Sequence, residues 1–223
     1  MNNNIKKYLI FFLLFFIFLI SSNLKAQTIL DISEKDFVIG DDNAPVTIIE
    51  YASLSCSHCA EFHTETLPKI LEEYVDKGLA KIVFRDFPLN YPALMGSMVL
   101  RCVSEDVRYQ YQEALYELQS KWVFRDTAKT KQELYKIMQS GGMKKEDFDK
   151  CIENVDLENE ILVGLMNAQE EFKIKSTPSF IINGEVSSAE LPTGSGAGYR
   201  PYFCKNCGVY IYCKYNISYN YWS

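Results

Sequence analysis

The sequence predicts an α/β fold, a sheet domain interrupted by an all-helical insertion, and three observations carry that prediction. An apolar, β-branched run, Val46-Thr47-Ile48-Ile49, leads into Cys56-Ser57-His58-Cys59 at the head of a helical pattern. A second strand pattern follows that helix after Gly78. The chain then reads as helices alone from about Ala93 to Phe172 before a strand resumes at Ser179.

The elements follow in order. The turn cluster Asp41-Asp42-Asn43-Ala44-Pro45 launches a strand over Val46–Tyr51. The helix after Cys56 repeats Phe62, Leu67, Ile70, Leu71 and Tyr74 at helical spacing, so one face is buried. Pro68 removes a backbone donor and crowds the carbonyl of Thr64, which predicts a kink. The next strand is Lys81–Phe87, and a strand–helix–strand order implies parallel pairing through a right-handed crossover. Helices are expected over Ala93–Val103, Tyr109–Val123, Lys131–Ser140, Lys145–Asn154 and Leu157–Phe172, with Gly141-Gly142 as a break. A final strand, Ser179–Ile182, ends at Asn183-Gly184, a hairpin-turn signal.

The first residues set the compartment. Lys6 and Lys7 precede an unbroken apolar stretch, Tyr8 to Ile20, then Ser21, Ser22 and Leu24-Lys25-Ala26. A basic start, a short apolar core and a small residue at the cut describe a secretory signal peptide, residues 1–26. The stretch is shorter than the roughly 20 residues that an uncleaved membrane span needs. Export places the rest of the chain in the periplasm, where disulfides persist. Cleavage takes the formal net charge from −6 to −9, because Lys6, Lys7 and Lys25 leave and no acid leaves with them. An acidic surface argues against nucleic acid or anionic membrane as the main partner.

Two thiols separated by two residues on the first turn of a helix close a small ring with little distortion. The first sulfur also lies near the unpaired N–H groups and positive end of the helix, which favours its thiolate. Cys56 is therefore the expected exposed nucleophile and Cys59, one turn deeper, the buried resolving thiol. An ordinary thiol ionises near pH 8.5, and each unit of depression is worth about 1.4 kcal/mol in favour of the thiolate. Stabilising the reduced form makes the disulfide a stronger oxidant, by roughly 30 mV for each such step. His58 is expected to supply a local donor or positive charge. A permanent disulfide staple and half of a metal site, with His63 as a further ligand, are the rival readings. Without a second C-x-x-C or His pair in this domain, no metal is expected, and Ala60 stands where haem attachment needs histidine. His63 is read as a helix-surface residue.

The run from Asn43 to Cys59, the helical insert and Ser176-Thr177-Pro178-Ser179-Phe180 together resemble the DsbA family of thiol:disulfide oxidoreductases, which have a thioredoxin fold. The resemblance covers about Asp36 to Glu185; Ser57 stands where proline is commoner. It implies a thioredoxin-like domain over 27–190, with an insertion about 93–172, and an enzyme that introduces disulfides into exported proteins without a cofactor. A DsbB-like membrane partner would reoxidise it. It also implies a cis peptide at Thr177–Pro178 facing the cysteine pair, with the Thr177 backbone free to pair with a substrate strand. Glu50 would be a buried acid beneath the active site, with Lys81 or Arg85 as candidate partners. Its alternative is an edge-facing surface glutamate. Cys102 and Cys151 are expected to join the ends of the insert in a structural disulfide. A disulfide isomerase or reductase, and a non-catalytic chaperone or metal-binding module, are the alternatives. Isomerases of this kind dimerise through an additional domain before the strand that Asp41 opens; this chain is expected to be a monomer.

Residues 191–223 fit this frame poorly. The stretch from Pro192 to Gly198 is rich in glycine, and a tyrosine-rich segment follows with Cys204, Cys207 and Cys213 but no helical periodicity. Arg200, Phe203, Cys204, Cys207 and Gly208 resemble one zinc-ribbon knuckle, which with Cys213 leaves a tetrahedral site one ligand short. The segment reads as a fused fragment or a shifted frame rather than a second function.

Overall fold

The computed structural model describes residues 31–188 and the strand segments 198–204 and 209–215. The signal-peptide reading, residues 1–26, lies outside the described residues, as do the side chains of Cys204, Cys207 and Cys213. Five strands form one sheet: β1 (Phe37–Ile39), β2 (Val46–Ala52), β3 (Ala80–Asp86), β4 (Ser179–Ile182) and β5 (Glu185–Ser188), in the order β1-β3-β2-β4-β5. β2 and β3 run parallel and every other neighbouring pair in this sheet is antiparallel. The chain reaches β5 through Asn183 and Gly184, both at positive φ, the conformation a tight hairpin demands and that these two residues tolerate. The short edge strand β1 carries no sequence pattern long enough to announce it.

Between β2 and β3 the long helix α1 opens at Ser57 and ends at Val75, as α turns over Ser57–Glu61 and Leu67–Ile70 alternating with π turns over Phe62–Thr66 and Leu71–Val75. The π turn before Pro68 carries the Leu67 N–H back to the Phe62 carbonyl. The ladder is thus already widened where Pro68 supplies no donor. The insertion comprises α2 (Tyr91–Arg101), α3 (Glu105–Glu117), α4 (Gln119–Trp122), α5 (Thr127–Ser140), α6 (Lys145–Ile152) and α7 (Val155–Phe172). The single helix expected over Tyr109–Val123 is two, broken at Leu118, whose backbone (φ −95°, ψ 13°) leaves the helical region. This mixed sheet with helices and an all-helical insert is a thioredoxin-like fold.

Two hydrophobic clusters result. One joins β2, β3 and β4 to α1 through Val46, Ile48, Leu67, Ile70, Ile82 and Phe180. The other is the core of the insertion, built on Met95, Met98, Leu115, Trp122, Leu134 and Phe148, and it reaches across to bury Cys59. α2 packs closely against the loop after β2 because Gly96 has no side chain. A Cβ there would meet Leu54 and Trp122 at 2.9 Å. In the C-terminal segment, Gly198–Cys204 and Val209–Tyr215 pair as an antiparallel two-stranded sheet.

Candidate active site

β2 ends at Ala52, and Cys56 takes the N-terminal cap position of α1, with its backbone extended (φ −86°, ψ 121°). The loop between them is held by its own backbone, Cys56 N–H donating to Ser53 at 3.0 Å, and by the insertion. Gln119 Nε2 donates to the carbonyls of Leu54 at 3.0 Å and Cys56 at 2.9 Å. Nothing in the sequence singled out Gln119; its role depends on α4 folding back onto a loop more than sixty residues away.

Both Cys56 and Cys59 are free thiols, Cys56 partly exposed and Cys59 buried. The Thr177–Pro178 peptide is cis, and the Thr177 carbonyl receives the Cys56 thiol at 3.2 Å. The Cys59 thiol beside it lowers the Cys56 pKa to about 5; burial opposes this, and the Thr177 side chain and the Cys59 and His58 backbone reinforce it. Burial pushes Cys59 strongly upward, helped by the Cys56 thiol and the charge of Glu50. One helix turn therefore separates a thiol that is an anion at neutral pH from one that holds its proton. His58 contributes through its backbone, because its ring is exposed and lies 3.7 Å from Glu61. Of the local donor or positive charge expected from His58, the donor is its backbone N–H.

Glu50 is fully buried in the middle of β2. Neither expected partner reaches it. Glu50 sits opposite Phe84 while Tyr51 sits opposite Arg85, and successive residues of a strand face opposite sides of the sheet. Lys81 and Arg85 share a parity that points them away from Glu50. Arg85 binds Asp36 at 2.8 Å and Tyr51, and Lys81 donates to the Asp42 carbonyl. The partner is His63, which the sequence placed on the helix surface and the structure buries completely. His63 Nε2 lies 3.1 Å from Glu50 Oε2, and Nδ1 lies 2.7 Å from Glu113 Oε1 on α3. Tyr116, also on α3, stacks on the ring at 4.1 Å between centroids. Burial disfavours the charged ring, yet the charge of Glu50 and the hydrogen bonds to both carboxylates outweigh it and raise the His63 pKa to about 9.

Away from this site, Cys102 and Cys151 form a disulfide between the end of α2 and α6, with Cα atoms 6.2 Å apart. Among the described residues no group of three or more metal-ligating side chains converges, and no helix is long and apolar enough to cross a membrane.

A thioredoxin fold that sets a C-x-x-C pair at a helix mouth against a cis-proline loop defines a class of thiol-active proteins. A family model described as thioredoxin matches residues 32–193, and the chain belongs to that family. A Rickettsia typhi protein with a provisional protein-disulfide oxidoreductase name is 30% identical over 155 residues, 69% of this chain and 56% of that protein. Disulfide bond formation protein D of Bacillus subtilis is 26% identical over 164 residues, 67% of this chain and 68% of that protein. The chain spans only 55–59% of the length of the rickettsial relatives. Among solved structures, Wolbachia pipientis α-DsbA1 superposes with a TM-score of 0.65 at 29% identity, over 74% of this chain and 82% of that one. Oxidised BdbD of Bacillus subtilis shares the fold, with a TM-score of 0.61 at 23% identity over 69% of this chain and 84% of that one.

Proposed function

We propose that this protein is a thiol:disulfide oxidoreductase that donates the Cys56–Cys59 disulfide to reduced exported proteins. The observation that carries this reading is the asymmetry of the pair: a partly exposed Cys56 with a pKa of about 5 beside a buried, protonated Cys59. A substrate thiolate attacks Cys56 Sγ, the intramolecular S–S bond breaks, and Cys59 leaves with the electron pair and takes a proton. A second substrate thiolate then attacks the substrate sulfur of the mixed disulfide, and Cys56 departs as its stable anion. The substrate gains a disulfide and loses two electrons, which the enzyme holds as one thiolate and one thiol. Because the Cys56 anion is favoured, the reduced enzyme is favoured and the disulfide is oxidising.

Glu50 is the buried base that serves Cys59, and the cis Thr177–Pro178 loop is the place where an extended substrate segment pairs. The N-terminal segment directs export to the periplasm, and a membrane-bound partner of the DsbB kind returns the dithiol to the disulfide. The experiment that tests the reading is the reduction potential of the Cys56/Cys59 couple in glutathione buffers. A value well above that of thioredoxin, about −270 mV, is expected. A thioredoxin-like value overturns the oxidant assignment, and oxidative refolding activity that survives Cys56→Ser overturns nucleophilic exchange.

A further inference from the structure

The exchange chemistry leaves one buried cluster without a task. Each catalytic cycle moves a proton onto Cys59 when it leaves Cys56 and off it again when the disulfide re-forms. Cys59 is fully buried and its pKa lies far above neutrality, so bulk water is a poor route in either direction. Glu50 beneath it is equally buried, and its Oε1 makes no hydrogen bond among the described residues. Its other oxygen touches His63, and the far nitrogen of His63 touches Glu113, whose side chain is 21% exposed. Glu50, His63 and Glu113 make a hydrogen-bonded series that ends at the solvent, and the charge of Glu50 acts on Cys59 at its inner end.

We propose that His63 and Glu113 form a proton relay that connects Glu50 and Cys59 to the surface, so that the helical insertion supplies the proton exit of the thiol pair. The inference rests on the exchange reading above. When Cys59 leaves, its sulfur takes a proton through the Glu50 carboxyl, and Glu50 takes the Nε2 proton of the His63 imidazolium, which leaves the ring neutral with its remaining hydrogen on Nδ1 toward Glu113. When the disulfide re-forms, the Cys59 proton returns through Glu50 to Nε2 and restores the charged ring, while the partly exposed Glu113 exchanges the Nδ1 hydrogen with water. An imidazole suits this place because the charged ring gives a proton at one nitrogen while its hydrogen bond at the other holds it in position. Protons are conserved over the cycle and no electron passes along the series.

The groups facing His63 are few. β2 contributes Glu50, α3 contributes Glu113 and Tyr116, its own helix contributes Phe62 and Cys59 lies one turn before it, and β3 contributes Phe84. Tyr109, on α3, feels the charge of Glu113, and its pKa is pushed up to about 12, by burial first. Both tyrosines therefore stay neutral through the working range, and Phe62 and Phe84 do not titrate. Among the described residues, the pair of carboxylates flanking the ring is left as its exchange route.

The test follows the reduced full chain reacting with oxidised glutathione, quenched in acid and digested with trypsin. Cys56 and Cys59 fall in the single peptide 36–69, between Lys35 and Lys69, apart from every other cysteine. Mass analysis then separates glutathionylation of Cys56 from resolution by Cys59. Glu113→Gln and His63→Gln are expected to leave glutathionylation unchanged and to slow resolution at least about tenfold below neutral pH. The slowed rates should climb with pH as hydroxide substitutes for the relay, with a solvent deuterium isotope effect larger than in the unaltered protein. Resolution with the same pH profile and isotope effect in the unaltered protein and both variants overturns the relay. So does an effect of His63→Gln that Glu113→Gln does not share. Glu113 is partly exposed, so its variant decides the matter if the buried His63→Gln fails to fold. An unaltered protein that never becomes glutathionylated at Cys56 overturns instead the exchange reading on which the relay depends.

Discussion

The Sγ of Cys56 lies 3.2 Å from the carbonyl oxygen of Thr177, across a sequence separation of 121 residues. The partly exposed thiol at the head of α1 and the loop before β4 therefore form one surface. The Thr177 hydroxyl is buried and makes no hydrogen bond among the described residues, yet the Thr177 side chain lowers the Cys56 pKa. A hydroxyl held free in this way can turn its hydrogen to the sulfur once the thiolate forms. Thr177→Val keeps the shape and removes the donor. It is expected to move the Cys56 midpoint upward from about 5 by up to about one unit, since a hydrogen bond to a charged group is worth on the order of 1.5 kcal/mol. Thiolate ultraviolet absorbance against pH reads the shift, and an unmoved midpoint shows that the hydroxyl takes no part.

The same thiol ties stability to pH in the reduced protein. Cys56 has a folded pKa of about 5 against an ordinary value of 9.0, so between those limits the unfolded chain binds the extra proton. Its contribution is complete above pH 9 and is lost as pH falls through 5. His63 runs the other way: its pKa rises from 6.5 to about 9, so its contribution is complete below 6.5 and is lost as pH rises through 9. Urea unfolding of the reduced protein is therefore expected to show stability climbing from pH 5 to 6.5, where of these two groups Cys56 changes more, and flattening above that as His63 opposes it. The oxidised protein, in which neither cysteine titrates, should lack the climb. A climb of equal size in both redox states would assign it to some other group.

Much of this arrangement is legible in the residues, and the misses have physical causes. Ser179–Ile182 and the Asn183-Gly184 turn appear where local propensity places them, because β-branched and aromatic residues and a two-residue turn act over short range. β1 escapes because three residues, Phe37–Ile39, hold no periodicity; its strand exists only because β3 offers an edge. His63 was within reach. Counting from Cys59, the positions 59, 63, 67 and 70 form one helical stripe, and Cys59, His63, Leu67 and Ile70 are all buried. Starting the stripe at Phe62 instead moves His63 to the edge. Strand parity likewise excludes Lys81 and Arg85 as partners of Glu50 once the register with β3 is known, but register is a tertiary property. Glu113 and Gln119 give no local signal, since each matters only after the insertion folds back against the loop and α1.

Glu50 and His63 are both fully buried, and Glu50 has His63 as its hydrogen-bond partner while His63 also reaches Glu113. Removing one partner of a buried pair leaves an uncompensated charge, which typically costs about 3–5 kcal/mol. His63→Leu, which strands the buried Glu50, is expected to destabilise by about that much, and Glu50→Leu by less, because Glu113 still pairs with His63. The double variant should cost clearly less than their sum, because no fully buried charge remains. A double-mutant cycle by denaturant unfolding measures the coupling. Strict additivity would show that the two side chains do not interact despite their 3.1 Å approach.

The Cys102–Cys151 disulfide acts on the insertion and leaves the redox pair alone. It closes a loop with a sequence separation of 49 and ties α2 to α6 across the core that also buries Cys59. Restricting the unfolded chain in this way typically stabilises by about 2–4 kcal/mol. Replacing both residues by serine is expected to lower the melting temperature accordingly. The Cys56 midpoint should stay at about 5, because the groups that set it, the Cys59 thiol, Thr177 and the first turn of α1, contain neither cysteine of the bridge. Differential scanning calorimetry beside a thiolate titration of the same double variant separates the two effects. A midpoint that rises together with a falling melting temperature would mean that the insertion holds the thiol pair in place through this bridge, and that the two cysteine pairs are coupled.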